Sequence, residues 1–176
     1  MTDRTMLRLA KAFWDIALWR QTPAQLPASL LLLGLVAAAA ALLEVLSAFL
    51  PPASSDRIAT RVALSVGLPL AFAWAVLVLA RRQQRFLQTG IALLGVGVLA
   101  ELALYPIGSL LHLVGSDSIG SVPLGFLMLI GVVWYLLACA NIWRAALDSR
   151  ISVGIAVSVG YLLLSILLEQ QVLPDP

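Results

Sequence analysis

Five long apolar runs, parted by short polar breaks, set the pattern of this chain. They cover about residues 27–50, 62–80, 87–113, 123–142 and 151–168. Each is long enough for one helical crossing of a ~30 Å hydrocarbon core, which takes about 20 residues at ~1.5 Å each. The first run is bracketed by Pro23 and Pro27 before it and by Pro51 and Pro52 after it, and Glu44 is its one charged residue. A helix satisfies its own backbone hydrogen bonds inside lipid, so the pattern predicts an all-α, polytopic transmembrane bundle of five spans occupying residues 23–176.

The first twenty-two residues carry a different period. Arg4, Arg8, Lys11 and Asp15 recur at helical spacing on one face, while Met6, Leu9, Phe13, Ile16 and Ala17 fall on another. With Trp14 and Trp19 beside them, this predicts a cytoplasmic amphipathic helix lying in the membrane interface, its Arg4, Arg8, Lys11, Trp14 and Trp19 at headgroup level. Thr22-Pro23 is expected to end it and turn the chain into the bilayer.

Charge then sets the orientation. With five spans, Arg4, Arg8, Lys11, Arg20, Arg81, Arg82, Arg85, Arg144 and Arg150 fall on one side, and only Arg57 and Arg61 on the other. By the positive-inside rule the N-terminus is expected in the cytoplasm and the C-terminus outside. Trp143 joins Trp14 and Trp19 at the inner interface, whereas Trp74 and Trp134 are expected between helices. Arginine outnumbers lysine ten to one in an Ala- and Leu-rich chain, a bias of GC-rich bacterial genomes. A bacterial inner membrane, with the C-terminus in the periplasm, is the expected location.

Composition narrows the chemistry. The chain is 61% hydrophobic and only 11% charged, against roughly 25% charged residues in soluble domains. Its net charge of +2 is not gathered in one patch, so nucleic acid is not an expected partner. The single Cys139 excludes an internal disulfide and any multi-cysteine metal site, and the single His112 excludes bis-histidine haem or a histidine-rich metal site within one chain. Cys139 itself reads as a small core residue. No HExxH, GxSxG or P-loop pattern is present. Ser109 and His112 share a helix face, but no third member or oxyanion pattern accompanies them. The chain is expected to be no enzyme and to need no cofactor.

The intramembrane acids are the exception to this bland chemistry. An ionisable group deep in a bilayer costs about 2.5–3.5 kcal/mol on insertion scales, so it faces the bundle interior and finds partners. Glu101 heads a stripe, since Gly97, Glu101, Tyr105, Gly108 and His112 share one helix face. Pro106 is expected to kink that helix. Ala37, Ala40 and Ala41 offer a small-residue face near Glu44. We expect the first and third spans to pack through Ala37, Ala41 and Gly97, joining Glu44 and Glu101 in one polar cluster. Arg61 is the expected counter-ion, and Tyr105 and His112 are the expected hydrogen-bonding partners. The fifth span carries two small-residue rows, Ser152–Ala156–Gly160 and Gly154–Ser158, each spaced for a close helix contact within the bundle, with itself or with a partner.

A cytoplasmic pre-membrane region, the turn Trp19–Ser29 (WRQTPAQLPAS) into the first of five closely spaced spans, and an almost absent outer tail follow one another here. In this layout the chain resembles the Yip1 domain family, especially its small bacterial members. The resemblance implies a non-enzymatic membrane protein that acts on other membrane proteins or on bilayer shape. The chain has Tyr105-Pro106 and Gly160-Tyr161, without the acidic–aromatic–Gly–Pro signature of the eukaryotic members, so it implies no small-GTPase partner. Two classes of function follow. One is an adaptor or organiser whose partners are the lipid bilayer and other membrane proteins or further copies of itself. The other is a small oligomeric permease or proton-coupled transporter working through Glu44 and Glu101.

Overall fold

The computed structural model describes residues 11–21, 23–47, 55–115, 118 and 120–172. All regular structure among them is helical. Residues 11–17 form α1, followed by α2 (Leu30–Ser47), α3 (Ser55–Val62), α4 (Leu68–Leu79), α5 (Phe86–Val114), α6 (Ser121–Leu147) and α7 (Ile151–Val172). A π-helical turn, Ala63–Gly67, joins α3 to α4. Among the described residues, five stretches are long and apolar enough to cross a membrane: Leu30–Ser47, Ile58–Leu79, Gln83–Val114, Ser121–Leu147 and Ile151–Val172. The protein is an integral membrane protein by this architecture.

The element boundaries shift from the hydropathy pattern for local reasons. Residues 27–29 are not helical, and α2 begins at Leu30, where Ser29 Oγ accepts from the Leu32 amide at 3.4 Å in the manner of an N-cap. The second span starts earlier than Val62, because the polar stretch from Ser55 is already helical. The π turn then precedes Pro69, whose missing N–H would otherwise interrupt the helix. The fourth span continues past Ile142 to Leu147. The third runs unbroken from Phe86 to Val114 through Pro106. The expected residues 48–50 of the first span lie outside the described residues.

Consecutive spans alternate in direction, so the α4–α5 and α6–α7 connections meet the N-terminal segment at one end, which also gathers Arg81, Arg82, Arg85, Arg144 and Arg150. Three helices close there with a non-glycine residue in the left-handed region: Trp19 (φ 65°), Arg81 (φ 55°) and Asp148 (φ 53°). In each case the next amide reaches back five residues to a carbonyl: Arg20 to Asp15 at 2.7 Å, Arg82 to Leu77 at 2.7 Å, and Ser149 to Arg144 at 3.1 Å. This is the Schellman closure, usually reserved for glycine. Arg85 Nη1 donates to the Ala145 and Ala146 carbonyls at 2.8 and 3.2 Å, capping α6 with a cation where its dipole is negative. Arg82 pairs with Asp148 at 3.3 Å, and Gln88 Nε2 donates to the Leu26 carbonyl at 3.2 Å.

The core lies toward this Arg-rich end. Residues 89–96 of α5 and 138–143 of α6 are buried without interruption. α1 helps to bury them: Ile16 is 1% exposed, and Phe13 and Ala17 join the same cluster. Gly95 makes this possible, because a Cβ there would strike the Phe13 ring. Trp14 lies beside Trp134, with ring centroids 6.5 Å apart. The apolar face of α1 therefore packs on the bundle. Asp15, expected on the solvated stripe, is buried and accepts from Gln21 Nε2 at 3.4 Å. The helix stops near residue 17, before Thr22-Pro23, because the Schellman turn at Trp19 already closes it. Arg4 and Arg8 lie outside the described residues, while Lys11, Trp14 and Trp19 are exposed.

Around α5 stand α2, α4 and α6, with α7 against α6 and α4. Phe72 on α4 ties the ring together, meeting Trp143 at 5.8 Å and Tyr161 at 5.3 Å. Trp74, expected between helices, is instead 57% exposed on the opposite face of α4. Cys139 and Trp143 are both buried in the core.

Candidate functional site

Two adjoining cavities occupy the half of the bundle away from the Arg-rich end. One, of about 140 Å³, is walled by Glu44, Arg61, Ser65, Tyr161, Ser165 and Glu169. The other, of about 190 Å³, is walled by Ser65, Gly97, Glu101, Tyr135 and Tyr161, and Leu93 and Leu94 close it toward the packed core. Ser65 and Tyr161 line both.

Local structure explains how these polar groups converge. Glu44 stands in the last described turn of α2. There Ser47 Oγ donates to the Glu44 carbonyl at 2.8 Å and to Glu44 Oε2 at 3.1 Å. Glu101 and Tyr105 are one turn apart on α5 and share a face. Tyr105 OH crosses to α2 and donates to the Ser47 carbonyl at 3.1 Å. The bond fixes α2 against α5. Glu44 and Glu101 line adjoining cavities. Ser65 reaches both cavity walls from the π turn, where an extra residue displaces the following side chains around the helix.

Of the five residues expected in one polar cluster, Glu44 and Arg61 share a cavity, Glu101 lines the next one, and Tyr105 bonds across to the helix of Glu44. His112 is exposed near the end of α5 and lines neither cavity, because the stripe through Glu101 turns outward beyond Tyr105. α2 and α5 do pack together, with Ala40 buried and Ala37 and Ala41 half-buried. Gly97 has open space where a Cβ would be; it widens the cavity. On α7 the Gly154–Ser158 row is buried, and a Cβ at Gly154 would strike the Ala140 carbonyl. Ser152, Ala156 and Gly160 are exposed on the other side of that helix.

Sequence reading missed Ser65, Tyr135, Tyr161, Ser165 and Glu169. For three of them a signal was present: Tyr161, Ser165 and Glu169 recur every fourth residue, one face of α7. Glu169 passes for the start of a polar tail until α7 is seen to continue to Val172.

Chemically, three carboxyl groups and one guanidinium face these cavities, together with serine and tyrosine hydroxyls. Such a lining attracts cations or protons. Among the described residues no three His, Cys, Asp or Glu side chains converge to hold a metal ion. No family model matches the chain, and neither a curated protein nor a solved structure is similar to it.

Proposed function

We propose that the protein is a non-catalytic organiser of the membrane, Yip1-like in layout, which acts on other membrane proteins or on bilayer shape. The N-terminus is placed in the cytoplasm and the C-terminus in the periplasm of a bacterial inner membrane. The nine-to-two distribution of basic residues between the two ends favours this orientation. In this reading the intramembrane polar cluster is a clasp. The observation that carries it is the Tyr105–Ser47–Glu44 chain of hydrogen bonds, in which the polar groups of α5 and α2 hold two helices together. The exposed row Ser152–Ala156–Gly160 on α7 offers a close-contact surface for a partner helix or a second copy. Lys11 and Trp14 on α1, and Trp19 just after it, are exposed and support an interfacial side, with Arg4 and Arg8 preceding them in the chain. Cross-linking and pull-down from native membranes test the reading: a stoichiometric membrane-protein partner is expected. Recovery of a symmetric homo-oligomer that conducts protons in liposomes would overturn it.

A second reading draws on a specific observation, two adjoining cavities of which one is lined by Glu44 and Glu169 and the other by Glu101. A proton-coupled permease needs carboxyls in such a row. Glu44→Gln and Glu101→Gln separate the readings. A clasp retains assembly and function with a neutral isostere, whereas a proton carrier retains assembly and loses transport.

A further inference from the structure

A third cavity belongs to neither reading. It lies at the Arg-rich end, where α5 begins and α6 ends, and has a volume of about 430 Å³, within the ~300–1,000 Å³ range of small-molecule sites. Its wall includes Arg85, Gln88, Thr89, Arg144, Asp148 and Ser149. Because both helices are membrane spans, their termini stand at headgroup depth. We propose that this cavity binds a phosphate group, that of an anionic phospholipid drawn from the surrounding leaflet.

Charge, donors and depth support this assignment together. Two guanidiniums face the cavity, and its one carboxylate, Asp148, is already paired with a third arginine, Arg82, at 3.3 Å. The negative end of α6 is likewise neutralised, since Arg85 Nη1 caps the Ala145 and Ala146 carbonyls. A guanidinium has five N–H donors, and the Nη1 bonds leave those of Nε and Nη2 for an anion. The capping bonds also hold Arg85 in place, so less side-chain freedom is lost on binding. Arg144 is exposed and stands one turn before Asp148 on α6. Thr89, only 1% exposed, and the half-buried Ser149 add hydroxyl groups. Basic pockets between spans at this depth are suited to anionic headgroups.

The test uses the purified full chain in detergent, with native mass spectrometry counting retained lipid. Wild type, Arg144→Gln, Ser149→Asp and Arg150→Gln are each titrated with phosphatidylglycerol, and then with added inorganic phosphate. Wild type and Arg150→Gln, which alters an arginine outside the cavity wall, are expected to retain phosphatidylglycerol equally. Arg144→Gln should weaken retention about tenfold or more, the size of one lost charge-assisted hydrogen bond. Ser149→Asp, which places a second carboxylate in the wall, should weaken it at least as much. Retention that resists millimolar phosphate assigns the site to lipid; displacement by phosphate assigns it to a soluble phosphate and overturns the lipid source. Equal retention by all four proteins, or no retention by wild type, overturns the site altogether.

Discussion

The two halves of the bundle are built on opposite plans. Toward the Arg-rich end, α5 is buried along residues 89–96, α6 along 138–143, and α1 covers them with Phe13, Ile16 and Ala17. Toward the other end, the same two helices carry outward-facing apolar residues such as Leu102, Leu113, Phe126 and Ile130, while the interior holds carboxyls, hydroxyls and cavities. The first half is held by van der Waals packing and helix caps, the second by the Tyr105–Ser47 hydrogen bond across helices. Lipid offers no hydrophobic gain for bringing helices together, so close packing and hydrogen bonds must do it. The division shows that this chain uses the two devices at different depths.

The contrast predicts a steep difference in tolerance to added volume. Gly154→Val should be the most damaging single change. Its side chain would meet the Ala140 carbonyl and, at 3.2 Å, the Arg144 amide nitrogen, both backbone atoms of α6 that cannot rotate away. A loss of about 3 kcal/mol is expected, the upper part of the usual range for overpacking. Gly125→Val, on α6 in the other half, adds its Cβ to open space and should be near neutral. Thermal unfolding in detergent measures both, and equal losses would dissolve the distinction between the halves.

Phe13→Ala comes next. It removes the ring that fills the space at Gly95 and leaves a cavity under α1. Core Phe→Ala changes cost about 3–5 kcal/mol; at the edge of the bundle about 2 kcal/mol is expected. The same variant should expose the segment 11–21 to protease while the five spans stay folded. If digestion of that segment is unchanged, α1 does not depend on the contact.

These two sites also mark what the sequence could and could not disclose. Spans were legible because a run of about 20 apolar residues has few other solutions. The partner of α1 was not legible. Phe13, Ile16 and Ala17 at helical spacing suit a bilayer and a protein groove equally, and only Gly95, lying more than eighty residues away, decides between them. Gly95 looks no different from Gly97 in sequence, yet one receives a ring and the other opens a cavity. Trp74 and Trp134 were equally ambiguous, since a tryptophan in a span has no period of its own. Of the two small-residue rows on α7, which one meets α6 depends on helix rotation, a tertiary quantity. The Tyr161–Ser165–Glu169 face was readable and was obscured by placing the helix end one turn early.

Arg85→Gln probes the seam between the plans. It removes the cation and the donors that cap α6 at Ala145 and Ala146. Hydrogen bonds to charged groups are worth about 1.5–3 kcal/mol, and partial exposure places the expected loss at the lower figure. Hydrogen exchange should quicken in the last turn of α6 and leave α2 unaltered. Faster exchange throughout the bundle would mean that the cap also couples the two halves.

Tyr105→Phe tests the polar half with the smallest perturbation. It deletes one hydroxyl and keeps the ring, so the loss should be close to the ~1 kcal/mol of a single neutral hydrogen bond. The Ser47 carbonyl loses this donor. Its consequence should be local: increased motion of the last turn of α2, and with it of Glu44, because Ser47 Oγ links the two. A spin label near that turn would register this as broadened mobility, with labels on α1 unchanged. In the clasp reading, Glu44→Gln combined with Tyr105→Phe should add little, since both act on the same turn and non-additivity is the mark of shared contacts. Full additivity would separate Glu44 from the clasp and leave its carboxyl free for the chemistry of the second reading.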